Sequence, residues 1–292
     1  DAWCVGTMYR GFEQIMIGRG PLDGLVITPR ICGICTTGHL TAAARALDMI
    51  AGVTPPPDAV RLRNLCQMAE HVQSDLRHHL LMFCVDLVNP AHAKSHLFEE
   101  AVRRYTPFKG TSFIQAIRQT KRMLELIAIV GGQWPHSSHM VPGGIVSRPG
   151  DADLLQCQML VKAQQNWYEE FVLGCSIERL LQVESLEQLE VWLEQKAHRD
   201  SELGFFLRHA RALGLDQLGR AHDNFLSFGQ CELPLDTEVR GPRGGEHLIP
   251  AGFVSGGELQ PFDQALVAEH VAHSWFENYE GGLHPSHGET RP

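Results

Sequence analysis

The stretch Arg30-Ile31-Cys32-Gly33-Ile34-Cys35-Thr36-Thr37-Gly38-His39 places two thiols three residues apart, with an arginine before them and a histidine after them. Two sulfurs in one tight turn can face the same way, and thiolates bind soft metals such as nickel, zinc, copper(I) and iron. Arg30 would favour thiolate over thiol, and His39 is placed to donate a hydrogen bond to a sulfur. Taken alone, a Cys-x-x-Cys pair also fits a redox dithiol or half of a zinc site.

The composition is that of a large globular protein. The 292 residues carry a net charge of −9, which makes nucleic acid or an anionic membrane surface a poor partner. No run of 18 apolar residues occurs, so we expect no transmembrane segment, and the first residues do not resemble a secretory signal. The eight scattered cysteines favour reduced thiols. We therefore expect a cytoplasmic location, with membrane association only through partners.

Hydrophobic periodicity predicts a mainly helical chain. A first long helix is expected over 39–50, ended by the Pro55-Pro56-Pro57 run, and a second over 58–87. Short strands are expected over 231–260 and a last helix over 261–276. The predicted fold class is α+β, predominantly α, with a helical core and a small late β region.

Capping patterns predict where three other helices begin. Ser112 with Gln115 and Ser185 with Gln188 form capping-box sequences, and Asp151 is a candidate cap for another helix. The Gly- and Pro-rich stretch 131–150 is expected to be an ordered loop.

Together with three other segments, the paired cysteines resemble the first metal-binding motif of [NiFe]-hydrogenase large subunits, Arg-x-Cys-Gly-x-Cys-x-x-x-His. The segment 9–13 resembles the family's aromatic-Arg-Gly-x-Glu segment. The segment 131–144 resembles its Pro-His…Pro-Gly-Gly segment, and 269–290 resembles its later part. Within this family, the sequences of these segments most resemble those of the uptake and hydrogen-sensing branch. The resemblance implies one large-subunit domain over 1–292, incomplete at both ends.

The resemblance also implies site roles. Family members hold a nickel–iron centre with CO and cyanide on iron, and the terminal nickel ligand and the bridging ligand carry over to Cys32 and Cys35. Arg30 is expected to shape the turn of the thiolates at the catalytic site, and His39 to donate to a sulfur. Glu13 matches a glutamate that binds Mg²⁺ or Fe²⁺, for which carboxylate oxygen is suitable.

The implied reaction is reversible, heterolytic cleavage of H₂ into protons and electrons. The resemblance implies that the electrons leave through iron–sulfur clusters in a small-subunit partner, and this chain itself lacks the cysteine spacing to hold such clusters. Maturation factors and a higher oligomer of such heterodimers are expected as well. The alternative function is a regulatory H₂ sensor that signals to a kinase through the same centre.

One part of the family's site is missing from the sequence. Family members use four cysteines, and no second Cys-x-x-Cys occurs here. We therefore expect a fragment that lacks the N-terminal end and the C-terminal cysteine pair, and that is inactive alone.

Other candidates have a structural explanation. His136 and His139 are expected to bond backbone carbonyls, and the pair His270 and His273 is a weak zinc candidate. A role as small core residues is expected for Cys66, Cys84, Cys157, Cys175 and Cys231. The family's proton-handling aspartate is expected where Ser74 stands, beside Asp75, so that role is not carried over.

Overall fold

The structure is a computed structural model that describes residues 10–219, 223–234, 247–261 and 263–268. Its α-helices are α1 (Phe12–Met16), α2 (Gly24–Ile27), α3 (Thr36–Ala51), α4 (Pro57–Arg77), α5 (Phe98–Tyr105), α6 (Thr111–Gly131), α7 (Asp151–Trp167), α8 (Ile177–Leu181), α9 (Leu186–Glu194), α10 (Lys196–Asp200) and α11 (Glu202–Ala212). Its strands are β1 (Met140–Val141), β2 (Gly144–Ile145), β3 (Phe225–Glu232), β4 (His247–Ser255) and β5 (Glu258–Gln260). The predicted fold class, predominantly α with small late strands, is confirmed.

The chain divides into two compact units. The first comprises the described residues of Asp1–Asn64, Pro135–Val146 and Asp223–Pro292, and the second those of Leu65–Trp134 and Ser147–His222. Each unit has its own buried cluster. Among the described residues, no helix is long and apolar enough to cross a bilayer. The single domain expected over 1–292 stays a prediction.

The core of the first unit is built on α3. Leu40, Ala44 and Leu47 recur at helical spacing and therefore share one face of this helix. They pack with Leu25 and Met140, and all five side chains are buried. The predicted helix over 39–50 is confirmed, and it begins directly after the second cysteine of the motif.

The core of the second unit gathers side chains from α4, α5, α6 and α11. Its buried members are Leu76, Leu80, Cys84, Leu87, Ala101, Tyr105, Ala116 and Phe205. After Arg77, α4 continues as a π-helical segment, His78–Phe83, and a 3₁₀ segment, Cys84–Val88. The predicted helical span over 58–87 is therefore confirmed, with a changed hydrogen-bond pattern in its last third.

Capping chemistry was predicted correctly at one helix and wrongly at two. The Ser185 hydroxyl accepts from the backbone N–H of Gln188 at 3.2 Å, as predicted. Ser112 instead lies inside the first turn of α6, fully buried, and Gly110 is the N-cap. Packing of that buried first turn, rather than the local Ser-x-x-Gln pattern, sets where the helix begins.

Helix α7 begins one residue earlier than its predicted cap implies. Gly150 is the N-cap and Asp151 is already helical. The Asp153 carboxylate accepts from the Gly150 N–H at 2.9 Å, so an acidic side chain two positions further on meets the helix start.

The late β region is an antiparallel sheet in the order β3-β4-β5. Phe225 pairs with Val254 across the first two strands. The predicted loop over 131–150 also contains the short β1–β2 hairpin, in which Met140 pairs with Ile145. The last predicted helix, 261–276, lies mostly outside the described residues, and its described part holds one turn, Gln264–Leu266.

Candidate metal centre

The Cys32–Cys35 loop connects a 3₁₀ turn, Thr28–Ile31, to the start of α3. Cys32 is extended, and Cys35 is the N-cap residue of α3. Their Cα atoms are 5.5 Å apart and the structure joins their sulfurs as a disulfide. The spacing therefore brings both sulfurs to one point, which is what a redox dithiol and a pair of ligands on one metal both require.

Two backbone N–H groups donate to the sulfur of Cys32. The N–H of Cys35 donates to Cys32 Sγ at 3.0 Å, and the N–H of Ile34 donates at 3.4 Å. Donation to a sulfur stabilises its charged form, and the N-terminus of α3 adds partial positive charge beside it. Cys32 is half-buried and Cys35 is exposed, so both are open to a metal.

The donor set fits a soft metal through two sulfurs. In the ranges that the structure describes, no cluster of three His, Cys, Asp or Glu side chains could complete a metal site. Cys32 and Cys35 are therefore the candidate ligands within the described part of the chain.

Arg30 and His39 flank the loop without touching a sulfur in the described part of the chain. The exposed Arg30 guanidinium donates to the Val26 carbonyl, one turn earlier. His39 is half-buried, and its backbone N–H bonds the Cys35 carbonyl at 3.3 Å. Their predicted roles at the metal stay predictions.

Glu13 lies in the first turn of α1 and is exposed. The Arg10 guanidinium, three residues earlier, donates to the Ile31 carbonyl and lies 4.8 Å from the Phe12 ring centre. This bond ties the segment that carries Glu13 to the residue directly before Cys32. The cation-binding role of Glu13 stays a prediction.

Residues 136–145, which we call the strap, contact the turn that leads into Cys32. His136 Nδ1 donates to the Pro29 carbonyl at 3.1 Å, as predicted for a histidine satisfied by backbone. Its φ of 62° is left-handed, which is uncommon for a residue with a side chain. Such backbone is kept when surrounding contacts determine it.

His139 differs from its prediction. Its Nδ1 lies 2.7 Å from Ser137 Oγ rather than near a carbonyl. Burial, followed by the nearby Arg63 charge, lowers the pKa of His139 to about 4. The imidazole is therefore neutral at pH 7 and serves as a packed core group of the strap.

A buried ion pair that the sequence analysis missed holds the strap's turn. Arg63 donates to the Asp48 carboxylate at 2.6 Å, to the Val141 carbonyl at 2.6 Å and to the Gly144 carbonyl at 2.8 Å. Asp48 Oδ1 also accepts from the Gly143 N–H at 2.7 Å. One signal was available: Arg63 shares the helical spacing of the apolar face of α4, and a charge on a buried face needs a partner.

The other described cysteines are poor metal ligands. Burial raises the pKa of the Cys66 thiol to about 12 and that of the Cys84 thiol still further above its ordinary range. Burial also raises the pKa of Cys157 and Cys231. These thiols stay protonated at pH 7, and the prediction that they are core residues is confirmed for these four. Cys4 lies outside the described residues.

The second unit contains an apolar cavity of about 560 Å³. Asp75, beside the position where an aspartate was expected, is exposed and lines this cavity together with His79 and Tyr168. No observation links this carboxylate to proton handling. His270 and His273 lie outside the described residues.

Comparison with known sequences agrees with the motifs. A family model described as "Nickel-dependent hydrogenase" matches residues 10–106 and 108–292. Over its whole length the chain is 29% identical to the periplasmic [NiFeSe] hydrogenase large subunit of Desulfomicrobium baculatum, and it covers 53% of that protein. It is 26% identical to the uptake hydrogenase large subunit of Rhodobacter capsulatus and covers 55% of it. The chain thus spans about half the length of these relatives.

Solved structures agree with the fold. The reduced, active Ni-Fe-Se hydrogenase of Desulfomicrobium baculatum matches 99% of this chain with a TM-score of 0.76 and 26% identity. The match covers 55% of that chain. The reduced Ni-Fe-Se hydrogenase of D. vulgaris Hildenborough matches 98% of this chain with a TM-score of 0.70, also at 26% identity.

Proposed function

The chain belongs to the nickel-dependent hydrogenase family, and from this premise we propose that it contributes the first cysteine pair of a nickel–iron centre in a hydrogenase large subunit. The proposed reaction is reversible heterolytic cleavage of H₂ to two protons and two electrons. The observation that carries the proposal is the Cys32–Cys35 loop, in which two sulfurs meet and two backbone N–H groups donate to one of them.

Each sulfur has a distinct proposed role. When bound, a nickel–iron centre with CO and cyanide on iron supplies the metal that accepts the electron pair of H₂. Cys32 Sγ would hold nickel as a terminal ligand and accept one of the two protons of H₂, and Cys35 Sγ would hold the centre as the bridging ligand. The N–H groups of Ile34 and Cys35 donate to the Cys32 sulfur. Arg30 shapes the turn, and His39 donates to a sulfur.

The proposal includes partners and a second cation. The two electrons pass to iron–sulfur clusters of a small subunit. Maturation factors insert the metal centre, and the heterodimers assemble into a higher oligomer. Glu13 binds Mg²⁺ or Fe²⁺, because it presents an exposed carboxylate on a segment that Arg10 ties to the cysteine loop. With two sulfurs of the four required, the chain alone does not turn over H₂. We also propose the cytoplasmic location expected from the thiols, although one relative is named periplasmic.

The test is Cys32→Ser in the full-length, matured complex. We expect loss of H₂-dependent dye reduction together with loss of nickel, measured by mass spectrometry, and of the infrared bands of iron-bound CO and cyanide. Cys175→Ser is the control, because that thiol is also partly exposed but lies in the second unit.

The outcomes separate the functions. Retention of nickel and activity in Cys32→Ser would sink the proposal. A wild-type complex with nickel and both sets of infrared bands, but with negligible turnover and tight binding to a histidine kinase, would support the sensor alternative instead.

A further inference from the structure

The strap contacts the chain on both sides of the cysteine loop. At one end His136 donates to Pro29, which lies in the turn before Cys32. In its middle, Met140 is fully buried in the α3 cluster and accepts a hydrogen bond from Thr41 Oγ1 at 3.6 Å. The strap therefore contacts the backbone that precedes the first sulfur and the helix that follows the second.

Bonds within the cysteine loop, namely the disulfide and the two N–H donors to Cys32 Sγ, set the two sulfurs relative to each other. Gly33 is exposed, and a Cβ added there would have no neighbour within 4 Å. Cys35 is exposed as well. The placement of the loop as a whole depends on the flanking turn and on α3, which are the two elements that the strap contacts.

Arg63 and Asp48 determine the shape of the strap's turn. Arg63 is 5% exposed and Asp48 is 7% exposed. Between them they bond the backbone of Val141, Gly143 and Gly144. The guanidinium fork has donors at fixed angles, which a lysine ammonium cannot reproduce. A buried ion pair is a weak source of net stability, so its main effect here is to specify geometry.

We propose that Arg63 and Asp48 are positioning residues of the metal centre: through the strap they fix the direction in which the Cys32 and Cys35 sulfurs point. This inference rests on the proposed function, because it takes the two sulfurs to be ligands. Residues that hydrogen-bond a metal ligand typically change metal affinity about tenfold to a hundredfold when they are replaced, and we expect an effect of the same order from Arg63 and Asp48, which act on the ligands through the strap.

The experiment titrates the reduced full chain with Co²⁺ as the probe metal. Binding is followed by sulfur-to-cobalt charge-transfer absorption, well below the unfolding temperature of every variant. We expect Asp48→Asn to weaken cobalt binding about tenfold to a hundredfold and to shift the absorption band. Arg63→Lys should do the same, although it keeps the charge, because a single ammonium cannot bond Asp48, Val141 and Gly144 together.

Glu202→Gln is the matched control. Glu202 and Arg104 form a second buried ion pair, with side chains 2% and 10% exposed against 9% and 7% for Asp48 and Arg63. This pair belongs to the second unit, whereas the strap belongs to the first. The proposal predicts that Glu202→Gln lowers the unfolding temperature but keeps the cobalt affinity and the band position.

Two results would overturn the positioning role. One is a cobalt affinity of Asp48→Asn within twofold of wild type. The other is a loss of affinity that follows the loss of unfolding temperature equally in Asp48→Asn and Glu202→Gln. Cys32→Ser separates a failure of the proposed function from a failure of the positioning role. If Cys32→Ser leaves the cobalt absorption band unchanged, the proposed function itself fails. If Cys32→Ser abolishes the band but Asp48→Asn leaves the band unchanged, only the positioning role fails.

Discussion

Acidification is expected to destabilise the strap through His139. This side chain is 4% exposed, and burial together with Arg63 lowers its pKa from 6.5 to about 4. An unfolded chain regains the ordinary pKa, so between pH 6.5 and pH 4 the unfolded state binds a proton that the folded state excludes. Stability is therefore lost as the pH falls, at about 1.4 kcal/mol for each pH unit well inside that window.

The loss from pH 7 to pH 5 amounts to about 2 kcal/mol, or roughly twentyfold to thirtyfold in the population of the open state. Hydrogen–deuterium exchange of the α3 amides measures that population locally. The comparison is wild type against His139→Asn, since asparagine is uncharged at both pH values and keeps a polar group near Ser137 Oγ. At each pH, the ratio of the two exchange rates cancels the intrinsic chemistry of exchange.

We expect His139→Asn to exchange faster than wild type at pH 7, because the smaller side chain leaves a cavity. At pH 5 this excess should shrink by roughly twentyfold to thirtyfold, because only wild type carries the proton penalty. A rate ratio that is the same at pH 7 and pH 5 would refute the reasoning.

Two further predictions concern the second unit. Gly174 and Gly214 share a φ of 70°, but a Cβ at Gly174 would come under 3.0 Å from the Ala197 carbonyl, whereas Gly214 faces open space. Gly214→Ala should lower the free energy of unfolding by about 1 kcal/mol, and Gly174→Ala should lower it by roughly 1–3 kcal/mol more. Equal losses for the two variants, measured by urea unfolding with tryptophan fluorescence, would contradict this. Ser185→Ala removes the oxygen that accepts a hydrogen bond from the Gln188 N–H, so the free energy of unfolding should fall by about 1 kcal/mol in the same assay. Ser185→Thr, which keeps a hydroxyl, should retain most of the stability. An alanine variant as stable as wild type would show that the cap is not needed.

Local patterns predicted the elements well where the physics is local. The sequence predicted the buried face of α3 correctly, because helical spacing alone places Leu40, Ala44 and Leu47 on one side of the helix. Ser185 predicted the start of a helix correctly, because capping requires only that its hydroxyl accept a hydrogen bond from a nearby backbone N–H. Ser112 has the same pattern but is buried by packing that no local window contains, so the prediction failed there.

The candidate site divides in the same way. The proximity of the two sulfurs follows from their spacing of three residues, and the family follows from the motif that contains them. The bond from Arg10 to Ile31 and the bond from His136 to Pro29 join residues 21 and 107 positions apart. Neither contact has a signature in the residues around it.

The resemblance of several motifs predicted the family, and periodicity and short-range spacing predicted the mainly helical fold and the proximity of the two thiols, because these are properties of neighbouring residues. Only the folded chain shows that Arg63 on α4 bonds Asp48 on α3 and the backbone of Val141 and Gly144, which lie 78 and 81 positions further along. Burial explains this difference. A charged group removed from water requires a partner, and the position of that partner depends on the packing of the whole unit.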